Sequence, residues 1–255
     1  MKIWEVLMKH YVWLGLNPSA DIKNKKTAFH LPVNNDLDEI SYHEINKKLN
    51  EEVLNKKSYS IYSISASENT WESLINENKY FSSIKAPTKN IDDFIKNLNN
   101  VKVNAVDVAK YILRLEKKCT SLRLQKLLFL VYSNYLRKYN APLFDEKFYA
   151  WKYGPVNLEI YKYFEKDDMT DEIPLPNIDN LDNLNDLIVE RKLNETYLKV
   201  SLFSSKIDLC LFIKKILDKY KNISVFDLID LLHSKDSEWD KTLRNEIIND
   251  ESIKN

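Results

Sequence analysis

The sequence contains only two glycines among its 255 residues, Gly15 and Gly154. Loops that bind the phosphates of nucleotides need several closely spaced glycines, because the backbone must come close to the anion. Two isolated glycines argue against both a P-loop and a Rossmann-type turn. We therefore expect no nucleotide cofactor.

Cysteine is equally scarce, since Cys119 and Cys210 are the only two in the chain. They lie far apart and lack the paired spacing of a zinc site. The histidines show no HExxH or similar spacing either. The sequence therefore predicts no metal site, and we expect both thiols to be reduced in a cytoplasmic protein.

The chain also lacks an excess of charge, with 38 basic and 38 acidic residues. Neither half is strongly basic, so the sequence has no overall electrostatic signature of nucleic-acid binding. DNA binding by the N-terminal part alone stays open.

No apolar run approaches the roughly 18–20 residues that cross a bilayer. The N-terminal stretch is interrupted by Glu5, Lys9 and His10, whereas a signal peptide has an unbroken apolar centre. We interpret it as the first element of a folded domain and expect no membrane association and a cytoplasmic location.

The N-terminal part shows patterns of both helices and strands. Ser41 and Glu44 have the spacing of a capping box, which predicts a helix from there to about Asn55. Alternating Tyr and Ile residues predict a strand over Tyr59–Ser65, and a second short strand is expected around Ala28–Leu31. Thr70–Glu77 is typical of a short helix.

Composition divides the chain into three stretches. Residues 1–86 form a mixed α/β domain, and residues 87–103 form a linker with a bridging helix. Residues 104–255 form a second domain. Pro87, which cannot donate a backbone hydrogen bond, marks the linker.

Helices dominate the predicted second domain. Asn104 and Asp107 predict a capped first helix, and the next helix, Leu122–Leu136, is apolar nearly all round, which indicates a buried centre. A short strand is expected at Phe148–Trp151. The remaining predicted elements are a helix over Val156–Phe164, an acidic loop over Glu165–Glu172, and helices over Leu181–Leu193, Ile207–Tyr220 and from Ser224. The predicted fold class is α+β.

Five sequence blocks in this part resemble, in order, the Panacea domain of SocA-like antitoxins. They are VAKYIL at Val108–Leu113, LRLQKLL at Leu122–Leu128, PLFDE at Pro142–Glu146, AWKYGPV at Ala150–Val156, and His233-Ser234 with Trp239. Two departures are present. Glu238 stands where the pattern has proline, and the glycine expected near Tyr220 is absent.

The resemblance implies a mostly helical Panacea-like domain with a short strand, behind an N-terminal part that resembles no family we recognise. It implies a non-enzymatic antitoxin that binds and neutralises a toxin. Families of this type are mostly encoded beside their toxins, on chromosomes, prophages and plasmids, and some relatives act as adaptors that deliver a toxin to a protease. The N-terminal part would supply partner specificity or operator binding. Homodimerisation is compatible with this interpretation.

Residues in the matching blocks are the candidate partner-binding set: Gln125, Lys126, Trp151, Tyr153, Gly154, Pro155, His233 and Trp239. Each has a structural alternative. Gln125 interrupts an apolar helix and must find hydrogen-bond partners if it is buried, so it could instead bond to the Trp151–Pro155 turn. Trp151 is expected in the core, and Tyr153 is equally compatible with the core and the surface. His233 could be a structural residue that forms hydrogen bonds at a corner.

Two other functions stay open from the sequence. One is a phage-encoded or mobile-element inhibitor of a host defence protein. The other is an enzyme with its site in the N-terminal part, where the polar residues are His30, Asp36, Asp38, His43 and Glu44. These five fit no catalytic spacing, and a surface loop explains them equally well.

Overall fold

The computed structural model describes residues 7–19, 26–34, 36–84, 86–116, 118–164 and 196–254. They form two compact units. The first comprises the described residues up to Lys102 together with Leu202–Ile207, and the second begins at Val103 and resumes at Asp208. Both contain helices and antiparallel strands, which confirms the predicted α+β class.

A three-stranded antiparallel sheet forms the centre of the first unit, in the order β2-β1-β3. The central strand carries Val12 and Trp13, both fully buried. The elements are β1 (Met8–Leu16), β2 (Lys26–Val33), α1 (Asp36–Glu52), β3 (Tyr59–Ala66), α2 (Trp71–Glu77) and α3 (Ile91–Leu98), with 3₁₀ turns at Lys56–Ser58 and Lys79–Phe81.

Helices cover both faces of this sheet because β1 is apolar on both sides, as a central strand between two layers should be. Tyr11 and Trp13 pack in a cluster with residues of α1 and α3, whereas Val12 and Leu14 pack in a cluster with residues of α2 and the following turn. The helix predicted to bridge the two domains, α3, therefore belongs to the core of the first unit, where Phe94 is fully buried.

The start of α1 differs from the sequence prediction. The helix begins at Asp36, and the hydroxyl of Ser41 donates to the carbonyl of Leu37 at 3.1 Å. That bond to residue i−4 belongs to a helix interior, so the capping box predicted at Ser41 is wrong. The strand expected around Ala28–Leu31 is present as the middle of the longer strand β2, Lys26–Val33.

The first unit also takes up a segment from much later in the chain. The amide of Ser204 donates to Val101 O at 3.1 Å, and the Ser204 hydroxyl donates to Leu98 O at 3.1 Å and accepts from Val101 N at 2.7 Å. Leu202 is 5% exposed. A single cut at a linker does not separate the two units, because residues 202–207 complete the first one.

The second unit is built around a long buried helix, α5, with Leu124, Lys126 and Val131 fully buried along it. The elements are α4 (Ala105–Leu115), α5 (Ser121–Tyr139), β4 (Phe148–Trp151), β5 (Gly154–Asn157), α6 (Leu158–Tyr163), a helical stretch at 196–201, α7 (Leu209–Tyr220), α8 (Val225–Leu232) and α9 (Asp250–Lys254). The predicted Asn104–Asp107 capping box is formed. Of the helices within the described ranges, none has the length and apolar character that crossing a membrane requires.

One predicted helix of this unit is present but begins two residues later than expected. A helix was expected from Val156, but residues 154–157 form β5, which pairs antiparallel with β4. The helix begins at Leu158, because the side chain of Asn157 caps it by accepting from Ile160 N at 3.2 Å. The acidic loop Glu165–Glu172 and the helix Leu181–Leu193 lie outside the described residues.

Candidate functional site

The β4–β5 hairpin has Lys152 and Tyr153 at its tip, between the paired residues Trp151 and Gly154. Gly154 has a φ of +96°, which costs a glycine little but strains residues with a side chain. The hairpin therefore depends on the single glycine of the second unit to close its turn.

Lys126 of α5 anchors the base of this turn from below. Its side chain is fully buried, and its Nζ atom donates to the carbonyl of Pro155 at 3.0 Å. Burial lowers the pKa of Lys126 to about 7, because a low-dielectric environment disfavours the charged form. This hydrogen bond between a buried amine and a buried carbonyl positions the turn relative to α5.

The preceding residue, Gln125, fixes the end of β5. Its amide nitrogen donates to Asn157 O at 3.1 Å, and Asn157 N donates back to the Gln125 Oε1 atom at 2.8 Å. Gln125 is 2% exposed, so both ends of the side-chain amide find the partners that a buried polar group requires. Gln125 thus ties α5 to the hairpin at Asn157, two residues beyond the predicted Trp151–Pro155 turn.

Trp239 holds the opposite strand of the hairpin. Its indole nitrogen donates to the carbonyl of Trp151 at 2.8 Å. The ring stacks on His233 at 3.5 Å between centroids, and the guanidinium of Arg244 lies 3.6 Å from the same ring centre. Two groups in contact with one ring centre must occupy opposite faces, so the indole lies between them.

His233 also approaches Gly154. A Cβ atom at Gly154 would lie 3.1 Å from Lys126 Nζ and 3.4 Å from His233 Nε2. That His233 nitrogen is buried and has no hydrogen-bond partner among the described residues. Burial, and then the charges of Lys126 and Arg244, lower the pKa of His233. The missing side chain at position 154 lets both nitrogens come close to the turn.

The segment of residues 245–248 borders β4 and completes the support of the hairpin. Asn245 N donates to Ala150 O at 2.9 Å, Ala150 N donates to Glu246 O at 2.9 Å, and Ile248 N donates to Phe148 O at 2.8 Å. The hairpin is therefore held by backbone pairing on one side and by side chains of α5 below.

The structure brings all eight candidate residues together around one turn, but only Tyr153 presents a large aromatic surface to solvent, at 53% exposure. Trp151 is half-buried and packs edge-on against Tyr161, with 5.2 Å between ring centres. Gln125 and Lys126 face the interior. Direct partner contact by the eight residues stays a prediction, and the geometry makes Tyr153 its foremost member.

Three residues of this site were not identified from the sequence. Asn157 could have been found, because Asn ahead of a helical pattern is a capping signal. Arg244 lies in a stretch with no periodicity, so no local pattern marks it. Glu238 replaces the proline of the Panacea pattern. It forms an ion pair with Arg137 of α5, a contact that proline could not make.

The polar residues of the N-terminal part do not form a comparable cluster. His30 lies on the sheet face that carries Trp71, 5.4 Å between ring centres, whereas α1, with His43 and Glu44 exposed, packs on the other face. Asp38 accepts a hydrogen bond from Asn34 N at 2.7 Å, and the side chain of Asp36 lies outside the described part. No group of three or more His, Cys, Asp or Glu side chains suited to a metal ion occurs among the described residues.

Comparison with known families finds a match to the C-terminal part of the chain. Residues 124–240 match the family described as Antitoxin SocA-like, Panacea domain, which confirms the resemblance found in the sequence. The match includes all eight candidate residues and begins after the N-terminal part of the chain, at residue 124. No curated protein and no solved structure matches the chain.

Proposed function

We propose that this protein is an antitoxin that binds a partner toxin in the cytoplasm and neutralises it without catalysing a reaction. The observation that carries the proposal is the match of residues 124–240 to the SocA-like Panacea domain. That segment contains the supported hairpin, so the family region and the candidate site are the same part of the molecule.

The geometry of the hairpin favours binding through its tip. Tyr153 is exposed. Two residues before it, the Trp151 carbonyl accepts a hydrogen bond from Trp239, and two residues after it, the Pro155 carbonyl accepts one from Lys126. A group held rigidly before binding loses little conformational entropy when the complex forms. Tyrosine is also among the residue types that contribute most to protein interfaces.

The proposal is tested by expressing the product of the adjacent gene from an inducible promoter, with and without this protein. We expect induction to arrest growth and co-expression of this protein to restore it. The purified pair should form a complex in isothermal titration calorimetry. Immunoblotting of the toxin in rescued cells separates neutralisation by binding, which leaves toxin abundance unchanged, from delivery to a protease, which lowers it.

A matched pair of variants connects the function to the hairpin. Tyr153→Ala should weaken the complex by about 1–3 kcal/mol with an unchanged melting temperature. Tyr163, which is also 53% exposed but lies at the end of α6, provides the control, and Tyr163→Ala should bind normally.

Two results would contradict the proposal. A neighbouring gene whose product neither arrests growth nor binds this protein would remove the antitoxin function. A gene cluster of phage inhibitors, together with binding to a host defence protein, would support the alternative predicted from the sequence.

A further inference from the structure

The two outer strands of the first unit's sheet are protected to very different degrees. The edge of β2 carries Pro32 and Lys26, and its Ala28 carbonyl accepts bonds from both the amide and the hydroxyl of Thr88, at 2.7 and 3.1 Å. Proline, lysine and a covering segment are the usual means by which a sheet edge is kept from pairing with other chains. The β2 edge is therefore closed.

The β3 edge has none of these features. Its sequence, YSIYSISA, contains no charge and no proline over eight residues. Within the described residues its backbone pairs with β1 alone. Ser60, Ile61, Ser63 and Ser65 are exposed along it, with Ile61 at 42%.

The helices leave one face of β3 open. Ile61 is paired with Trp13 and Ser63 with Tyr11, so these side chains lie on the face that α1 and α3 cover over β1 and β2. On the opposite face, Tyr62 packs against the cluster beneath the sheet. Among the residues that the structure describes, the strand is therefore anchored on one face and uncovered along its outer edge and its second face.

We propose that β3 pairs antiparallel with β3 of a second copy, which joins two three-stranded sheets into one continuous sheet. A two-fold contact places the same strand on both sides, and this strand suits that arrangement because it has no charge to repel its own copy. The pairing gives hydrogen-bond partners to the backbone groups along both outer edges at once, and the two strands have equal length.

The side chains that would meet are compatible with this pairing. With the two-fold axis perpendicular to the sheet, residues of the same face lie opposite each other. A centre at Tyr62 puts Ile61 opposite Ser63, and a centre at Ser63 puts Ile61 opposite Ser65. Both registers bring together uncharged side chains, with Tyr62 opposite its own copy in the first, so neither register buries an unpaired charge.

Charge placed at Ser63 tests the pairing directly in the full chain. We expect sedimentation velocity over a concentration series to show a dimer for the wild type. Ser63→Lys and Ser63→Glu should each raise the dimer dissociation constant about tenfold or more. In the register centred at Ser63 the two like charges lie opposite each other, and in the register centred at Tyr62 they are diagonal neighbours about 7–8 Å apart, so they repel in both. Mixing the two variants should restore the dimer, since the opposing charges then attract.

Ser82→Lys provides the matched control, because Ser82 is exposed in the same unit but lies outside the sheet, and its dimer should equal that of the wild type. Ser65→Lys repeats the test at the next exposed position of the same face, should either Ser63 variant lose its circular dichroism spectrum. A wild-type protein that stays monomeric throughout the series overturns the proposal. So does a dimer that neither Ser63→Lys nor Ser65→Lys weakens.

Discussion

The side-chain nitrogen of Lys126 lies 3.0 Å from the carbonyl oxygen of Pro155 and joins the central helix of the second unit to its hairpin. This contact places an ionisable amine in a fully buried position. Since burial lowers the pKa of Lys126 to about 7, its protonation couples the stability of this unit to pH.

The stability contributed at Lys126 should rise as pH increases from 7 to 9. In the unfolded chain this amine has a pKa near 10.4, so over this interval the unfolded state keeps a proton that the folded state releases. Stability increases with pH wherever the unfolded state binds more protons. The expected gain is roughly 2 kcal/mol, measured as the free energy of unfolding in urea.

Lys126→Met provides the comparison, because it keeps a similar shape and removes the titrating group. Other groups also titrate in this range, so the informative quantity is the wild-type change minus the change in the variant. Equal changes in both proteins would show that Lys126 does not titrate below its usual range.

Gly154→Ala should destabilise the second unit by roughly 1–3 kcal/mol, the usual cost of a strained backbone position. The residue would have to adopt a φ of +96°, with its methyl group 3.1 Å from Lys126 Nζ. Thermal unfolding measures the loss. Lys152→Ala, at the exposed tip of the same turn, is the control and should change stability by less than about 0.5 kcal/mol.

Much of the second unit could be predicted because its signals are local. The Asn104–Asp107 box caps a helix with side chains three residues apart, and the apolar run of α5 marks a buried helix without any knowledge of its neighbours. The turn at Gly154 was placed correctly for the same reason. The strand after it was missed, because Pro155 and Val156 pair with residues whose register only the folded hairpin defines.

The remaining features depend on contacts between residues far apart in the chain. Ser204 bonds to Val101 and Leu98, and no local pattern predicts that return to the first unit. Arg244 stacks on Trp239 from a stretch without periodicity. Tyr153 was left open between core and surface, because alternation on a short strand does not say which face is covered.

Trp239→Phe separates the hydrogen bond of Trp239 from its stacking. The variant retains an aromatic ring between His233 and Arg244 but loses the donor to Trp151 O. We expect a loss of roughly 0.5–1.5 kcal/mol in the free energy of unfolding, since the partly buried Trp151 carbonyl loses this donor. Trp239→Ala, which also removes the stacked ring, should cost more, about 3–5 kcal/mol. Equal losses in the two variants would show that the stacked ring contributes nothing beyond the hydrogen bond.

The first unit should lose stability in mild acid through a pair of histidines. His10 Nδ1 and His30 Nε2 lie 2.8 Å apart, so one nitrogen donates and the other accepts as long as at least one of the two rings is neutral. Burial lowers both pKa values, and that of His30 falls to about 4. Unfolded histidine has a pKa near 6.5.

Between pH 6.5 and 4 the unfolded chain therefore takes up protons that the folded unit does not, and the stability present above pH 6.5 is lost as the pH falls. His30 is half-buried, so solvent reduces the effect, and we expect a loss of roughly 1–3 kcal/mol by pH 4.5. Urea unfolding at pH 7.5 and 4.5 measures it. His30→Gln, which retains a hydrogen-bonding group without the titration, should lose less stability over this interval than the wild type, whereas His43→Gln, at an exposed position on α1, should behave like the wild type. If His30→Gln loses as much stability as the wild type, the histidine pair is not the source of the acid sensitivity.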